Sequence, residues 1–81
     1  MKSELTTISA VTREYFSACS QHPKFNSAHE GWAIIKEELD ELWEEVRKKK
    51  ISRSKELMEK EAIQIAAMAI RFIVDVCLDP T

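Results

Sequence analysis

The chain has 81 residues, of which 44% are hydrophobic and 32% charged, with a net charge of −2. This length allows one domain, 1–81, and is too short for two cores. The near balance of charge gives no drive towards nucleic acid or an anionic membrane surface. One glycine and two prolines among many strong helix formers argue for an all-α fold. Cys19 and Cys77 lie far apart without a CxxC pattern and read as buried thiols of a reducing cytoplasm. The N-terminal stretch MKSELTTISAVTREYF lacks an uninterrupted apolar segment of the kind a leader needs.

The first helix is predicted over 3–20. Leu5, Ile8, Val11, Tyr15 and Ala18 recur at three- and four-residue steps and form an apolar stripe. QHPKFN then breaks the helix, because Pro23 disfavours helical backbone in the residue before it. SAHE reads as a capping box, in which the Ser27 side chain accepts from the Glu30 amide and the Glu30 side chain accepts from the Ser27 amide.

The second helix is predicted over 27–49. Trp32, Ile35, Leu39, Leu42 and Val46 share one face with Trp43 beside them, and core or interface packing is the reading for both tryptophans. Glu30, Glu37, Glu41 and Glu44 fall on the opposite face, flanked by Glu38 and Glu45. His29 lies in the first turn, as a packing or capping residue or as a substrate contact. The basic run RKKKISRSK connects to the third helix and complements the negative end of the second helix's dipole. It lacks interleaved aromatics, so it reads as a solvated connection and not as a nucleic-acid surface.

The third helix is predicted from Ser52 or Ser54 to about Leu78. From Ala62 onward it is apolar nearly all round, as in a helix covered on several sides. It is too short and too charged to span a membrane. Three short helices cannot surround it alone, so the bundle is expected to be completed by dimerisation or tetramerisation. Arg71 and Asp75 stand four apart and can form an ion pair.

Seven of the eighteen residues in 29–46 are acidic. Glu37, Glu38 and Glu41 repel one another, since neither Glu37 nor Glu38 has a basic residue four positions on. Glu61 opens the apolar third helix, where an unpaired buried carboxylate is costly. A bound cation shared between the two helices would offset both costs. Oxygen-only ligands favour Mg²⁺ or Mn²⁺, and no His/Cys pattern points to zinc.

EELDEL (37–42), followed by EAIQ (61–64) at the head of an apolar helix, resembles the MazG-type all-α NTP pyrophosphatases. Their signature is E-E-x-x-E, a spacer, then E-x-x-D, and the match spans about half the chain. Gln64 stands where that family carries Asp. The resemblance implies a dimer or tetramer of paired helices that hydrolyses a nucleoside triphosphate to the monophosphate and pyrophosphate with Mg²⁺. By position, Glu38, Glu41 and Glu61 would be metal ligands, with Gln64 in the fourth place. An amide oxygen can ligate Mg²⁺ but brings no charge. Glu37 or Glu38 would orient or deprotonate the attacking water. Arg71 and Lys48 are candidate phosphate contacts. Phosphoribosyl-ATP pyrophosphohydrolases share the architecture and are a second enzymatic alternative. The alternative from another class is a non-catalytic helical oligomerisation or regulatory protein, for which Gln64 is the evidence.

Overall fold

The computed structural model describes residues 3–81; Met1 and Lys2, the start of the stretch read for a leader, lie outside the described residues. Helix α1 spans Glu4–Gln21, α2 spans Ala28–Val46 and α3 spans Lys55–Phe72. A short 3-10 turn, Lys50–Ser52, precedes α3. Helix α3 runs on into a π-helical segment, Ile73–Cys77, closed by the Leu78 amide donating to the Ile73 carbonyl at 2.9 Å. The all-α expectation of three helices holds, and among the described residues no helix is long and apolar enough to cross a membrane.

Local sequence sets each helix start. At α1, Ser3 and Thr6 form a reciprocal capping box. At α2, the Ser27 hydroxyl accepts from the Glu30 amide at 3.1 Å, as the sequence suggests. The return bond differs. Glu30 reaches one residue further back and accepts from the amide and the side chain of Asn26 at 3.1 and 3.0 Å. That choice satisfies two donors where the Ser27 amide would offer one. Ser54 caps α3 by accepting from the Leu57 amide.

The α2–α3 connection is strapped by Glu45, which is buried. Its carboxylate accepts from the Ser54 amide and from Lys48 Nζ, both at 3.1 Å. These bonds hold the Glu45 carboxyl below its ordinary range. Arg53 reaches back to cap the Val46 carbonyl at 2.8 Å, which satisfies an end group that α2 leaves open.

Both α1 and α2 pack chiefly against α3, which is the middle helix of an open layer measuring 48 × 27 × 19 Å. The core is small. Ala18, Phe25, Ala67 and Met68 are buried, with Tyr15, Ile34, Ile35, Phe72 and Val76 packed around them. Phe25 belongs to the α1–α2 connection and is drawn into the core by α3. Arg71 donates to the Pro23 carbonyl at 2.7 Å with its guanidinium 4.3 Å above the Phe25 ring, and Asp75 accepts from the Phe25 amide at 3.1 Å. So Arg71 and Asp75 each grip the connection, and the ion pair expected between them is replaced by these two contacts.

Two further expectations are corrected. The α2 stripe is not core throughout: Trp32, Leu39 and Trp43 are 63%, 48% and 59% exposed. Helix α2 is turned so that Gly31, Ile34, Glu38 and Glu45 face inward, roughly a quarter turn away from the stripe at ~100° per residue. Close approach of α3 requires the glycine, since a Cβ on Gly31 would lie 2.7 Å from the Phe72 ring. Cys19 and Cys77, expected to be buried, are exposed free thiols.

Candidate functional site

The rotation of α2 brings one edge of its acidic side against α3. Glu38 and Glu41, three residues apart, project from neighbouring turns towards Glu61 in the second turn of α3. One oxygen from each of the three carboxylates lies within 4.8 Å of the others. Glu38 and Glu61 are half-buried and Glu41 is exposed. Glu61 Oε2 is buried and has no hydrogen-bond partner.

Three carboxylates this close cannot all carry charge cheaply. Glu38 is pushed up to about 7, first by burial and then by its hydrogen bond to Glu61 and the charges of Glu41, Glu61 and Glu37. Glu41 is raised too, chiefly by its hydrogen bond to Glu61 and by the Glu61 charge. Glu38 therefore keeps part of its proton near neutral pH.

Beside the cluster, α1, α2 and α3 enclose a cavity of about 350 Å³. Its wall includes Glu14, Glu37, Glu38, Gln64, Arg71 and Pro23. Gln64 donates from its amide nitrogen to Glu14 Oε1. Among the sequence-derived candidates, Glu37, Glu38, Gln64 and Arg71 thus share one cavity, and Glu38 also joins Glu41 and Glu61 in the cluster. Lys48 is paired with Glu45 at the far end of α2, and His29 is exposed and absent from the cavity wall. Arg71 lines the cavity, but its donors also serve Pro23 and Met68.

Glu14 escaped the sequence reading. The stripe drawn through Leu5 and Ile8 directed attention to residues that are 76% and 61% exposed. Helix α1 turns its Val11, Glu14 and Ala18 flank inward. The usable signal was that Glu14 stands three and four positions from two apolar residues on that flank.

The donor set suits a hard divalent cation. It is all carboxylate, comes from two helices, includes a buried oxygen without a partner, and includes Glu38, whose proton a cation would displace. Acidic residues outnumber basic ones on the wall, with Glu14, Glu30, Glu37 and Glu38 against Arg71. A polyanion would enter such a cavity only in the company of its own cations. Compared with models of known protein families, with characterised proteins and with solved structures, the chain has no match.

Proposed function

We propose that this chain is a MazG-like nucleoside triphosphate pyrophosphohydrolase, dependent on Mg²⁺ or Mn²⁺, that cleaves an NTP or dNTP to the monophosphate and pyrophosphate in the cytoplasm. The observation that carries the reading is the convergence of Glu38, Glu41 and Glu61, with an unpartnered Glu61 oxygen, at the edge of the three-helix cavity. The spacing of Glu37, Glu38, Glu41 and Glu61 in the sequence supports it independently.

In this reading Glu38, Glu41 and Glu61 would hold the ion, which when bound would neutralise phosphate charge and polarise the phosphorus. Glu37, on the cavity wall next to Glu38, orients the attacking water and takes its proton. Water adds to the α-phosphorus, the bond to the α–β bridging oxygen breaks, and pyrophosphate leaves. Gln64, held by Glu14, braces the wall where the family places a fourth acid. Arg71 fixes the Pro23 end of the cavity and contributes positive potential there. Neither Lys48 nor His29 takes part. Self-association into a dimer or tetramer belongs to the same reading and completes the open layer.

A second reading, a non-catalytic helical oligomerisation or regulatory protein, is favoured by one observation. Gln64 brings no charge, and its amide is tied to Glu14. The two readings separate in a pyrophosphate-release assay on a panel of NTPs and dNTPs with Mg²⁺, Mn²⁺ or chelator. The enzyme gives metal-dependent release that falls by at least about 100-fold in Glu38→Gln or Glu41→Gln, the scale of losing a catalytic electrostatic contact. No release with any nucleotide or metal establishes the scaffold.

A further inference from the structure

Arg71 lines the three-helix cavity and is buried, with 4% of its surface exposed. Its contacts are all neutral. The Pro23 carbonyl accepts at 2.7 Å, the Met68 sulfur accepts at 3.6 Å, and the Phe25 ring centre lies 4.3 Å from the guanidinium carbon. Among the described residues it has no ion-pair partner. The acids placed to serve it are committed elsewhere, Asp75 to the Phe25 amide and Glu30 to Asn26. A guanidinium carries five N–H donors and no acceptor. The two hydrogen bonds leave the other donors without an acceptor among the described residues. A buried donor is costly to leave unpaired, so this end of the cavity favours a ligand that brings acceptors to it.

The surroundings decide which acceptor. Acids outnumber bases on the wall, with Glu14, Glu30, Glu37 and Glu38 against Arg71, so an anionic group would be repelled by the wall as it approached the guanidinium. A neutral oxygen meets no such repulsion, and the Pro23 carbonyl already shows Arg71 accepting that kind of partner. Around Arg71 the wall is apolar, formed by Ala18, Phe25, Ile34 and Met68. Apolar sides with one fixed polar group suit a ring that is oriented by an oxygen on its edge. Arg71 stands seven residues beyond Gln64 on α3, ~10 Å along the axis at about 1.5 Å per residue. The Glu37, Glu38 and Gln64 end and the Arg71 end therefore meet opposite ends of an extended ligand.

We infer that Arg71 sets the base preference of the cavity, favouring nucleotides whose base carries an exocyclic carbonyl, as in uracil, thymine and guanine or hypoxanthine, over those that present an amino group in its place, as in cytosine and adenine. An amino group at that position sets donor against donor and leaves both unpaired, which a site built to bond an oxygen rejects. This base class rests on the nucleotide reading proposed above and adds to it; the hydrolytic step itself is not needed.

Neutral nucleosides in chelator are the probe, since they need no metal and the acidic wall does not repel them. Uridine against cytidine and inosine against adenosine each exchange an exocyclic carbonyl for an amino group. Titration calorimetry on the wild type is expected to show the carbonyl member of each pair binding at least about 10-fold tighter, the scale of one unpaired buried donor. Arg71→Gln, which offers an acceptor as well as a donor, brings each pair to within about 3-fold, whereas Arg71→Lys, still a donor only, keeps the order. Far-UV circular dichroism checks that the variants are helical. Should they not fold, the guanidinium N–H resonances of Arg71 in the wild type are read instead, and they move on adding uridine. Equal affinities, a preference for cytidine and adenosine, no binding of any nucleoside, unmoved Arg71 resonances, or a preference that survives Arg71→Gln each overturn the inference. If the carbonyl preference holds and no nucleotide releases pyrophosphate, the hydrolase fails and the recognition stands. If UTP and CTP are hydrolysed with equal kcat/KM and their nucleosides bind equally, the recognition fails and the hydrolase stands.

Discussion

Glu38 stands at the junction of three negative neighbours, Glu37, Glu41 and Glu61, and is partly withdrawn from water. Its pKa rises from 4.5 to about 7, so between these values the folded chain holds a proton that the unfolded chain has lost. The sign follows from linkage: a native state that binds more protons loses stability as pH rises. In chelator, the melting temperature is expected to fall as pH goes from about 4.5 to about 7. Glu38→Gln, which keeps the shape and removes the charge, flattens that fall and raises the melting temperature at pH 7.5. It also removes any stabilisation by added Mg²⁺, because an amide without charge holds the ion poorly. Thermal melts across pH, with and without Mg²⁺, check all three outcomes, and a wild-type curve flat from pH 5 to 7.5 would refute the repulsive cluster. At this scale the sequence was informative where charges crowd. Glu37, Glu38 and Glu41 lie too close on one helix to be ignored, and Glu61 stands at the head of the apolar part of α3. Arg71 and Glu14 were less legible, since their partners are the Pro23 carbonyl and Gln64, each about fifty positions away in the chain.

Helix boundaries were legible because their causes are local. Ser27 and Ser54 sit at the caps, Pro23 ends what precedes it, and each effect acts within a few residues. Which face of α2 turns inward has no local cause. The stripe from Trp32 to Val46 has the periodicity of a core face, but periodicity reports only that residues share a side. The single glycine lies on the side that turns inward. Gly31 leaves room for the rings of Phe72 from α3 and Phe25 from the α1–α2 connection, with a Cβ there 2.7 Å from the first ring and 3.0 Å from the second. In an exposed helix, Gly→Ala stabilises by about 1 kcal/mol. At position 31 the sign reverses, because overpacking costs about 1–3 kcal/mol. Gly31→Ala is therefore expected to lose about 1 kcal/mol net, a fall of about 4–8 °C in melting temperature for a domain of this size. A variant that melts at or above the wild type would show that α2 and α3 are not seated this closely.

The whole molecule unites a small core, an open layer of helices and two faces of opposite character. One face is acidic and concave, the other apolar and exposed, and the same rotation of α2 creates both. Turning Glu38 towards α3 necessarily turns Trp32, Leu39 and Trp43 out. The apolar run of α3 raised the expectation of a second subunit, but which side of α2 stays exposed was not legible, since it depends on how two helices are phased against a third. If folding and pairing are linked, stability must depend on protein concentration, because mass action favours the paired state. Each tenfold increase in concentration adds ~1.4 kcal/mol to the paired state. Spread over the unfolding entropy of about 160 residues, this raises the melting temperature by about 4 °C per decade. Calorimetry from about 5 to 500 µM, a range chosen on the order of micromolar to sub-millimolar dissociation constants, is expected to show a rise of about 8 °C in the wild type. Leu39→Glu should melt lower and at one temperature throughout, because a chain that no longer pairs has no concentration term. A wild type whose melting temperature is constant across that range would leave the apolar face without its second copy, whatever the acidic cavity binds.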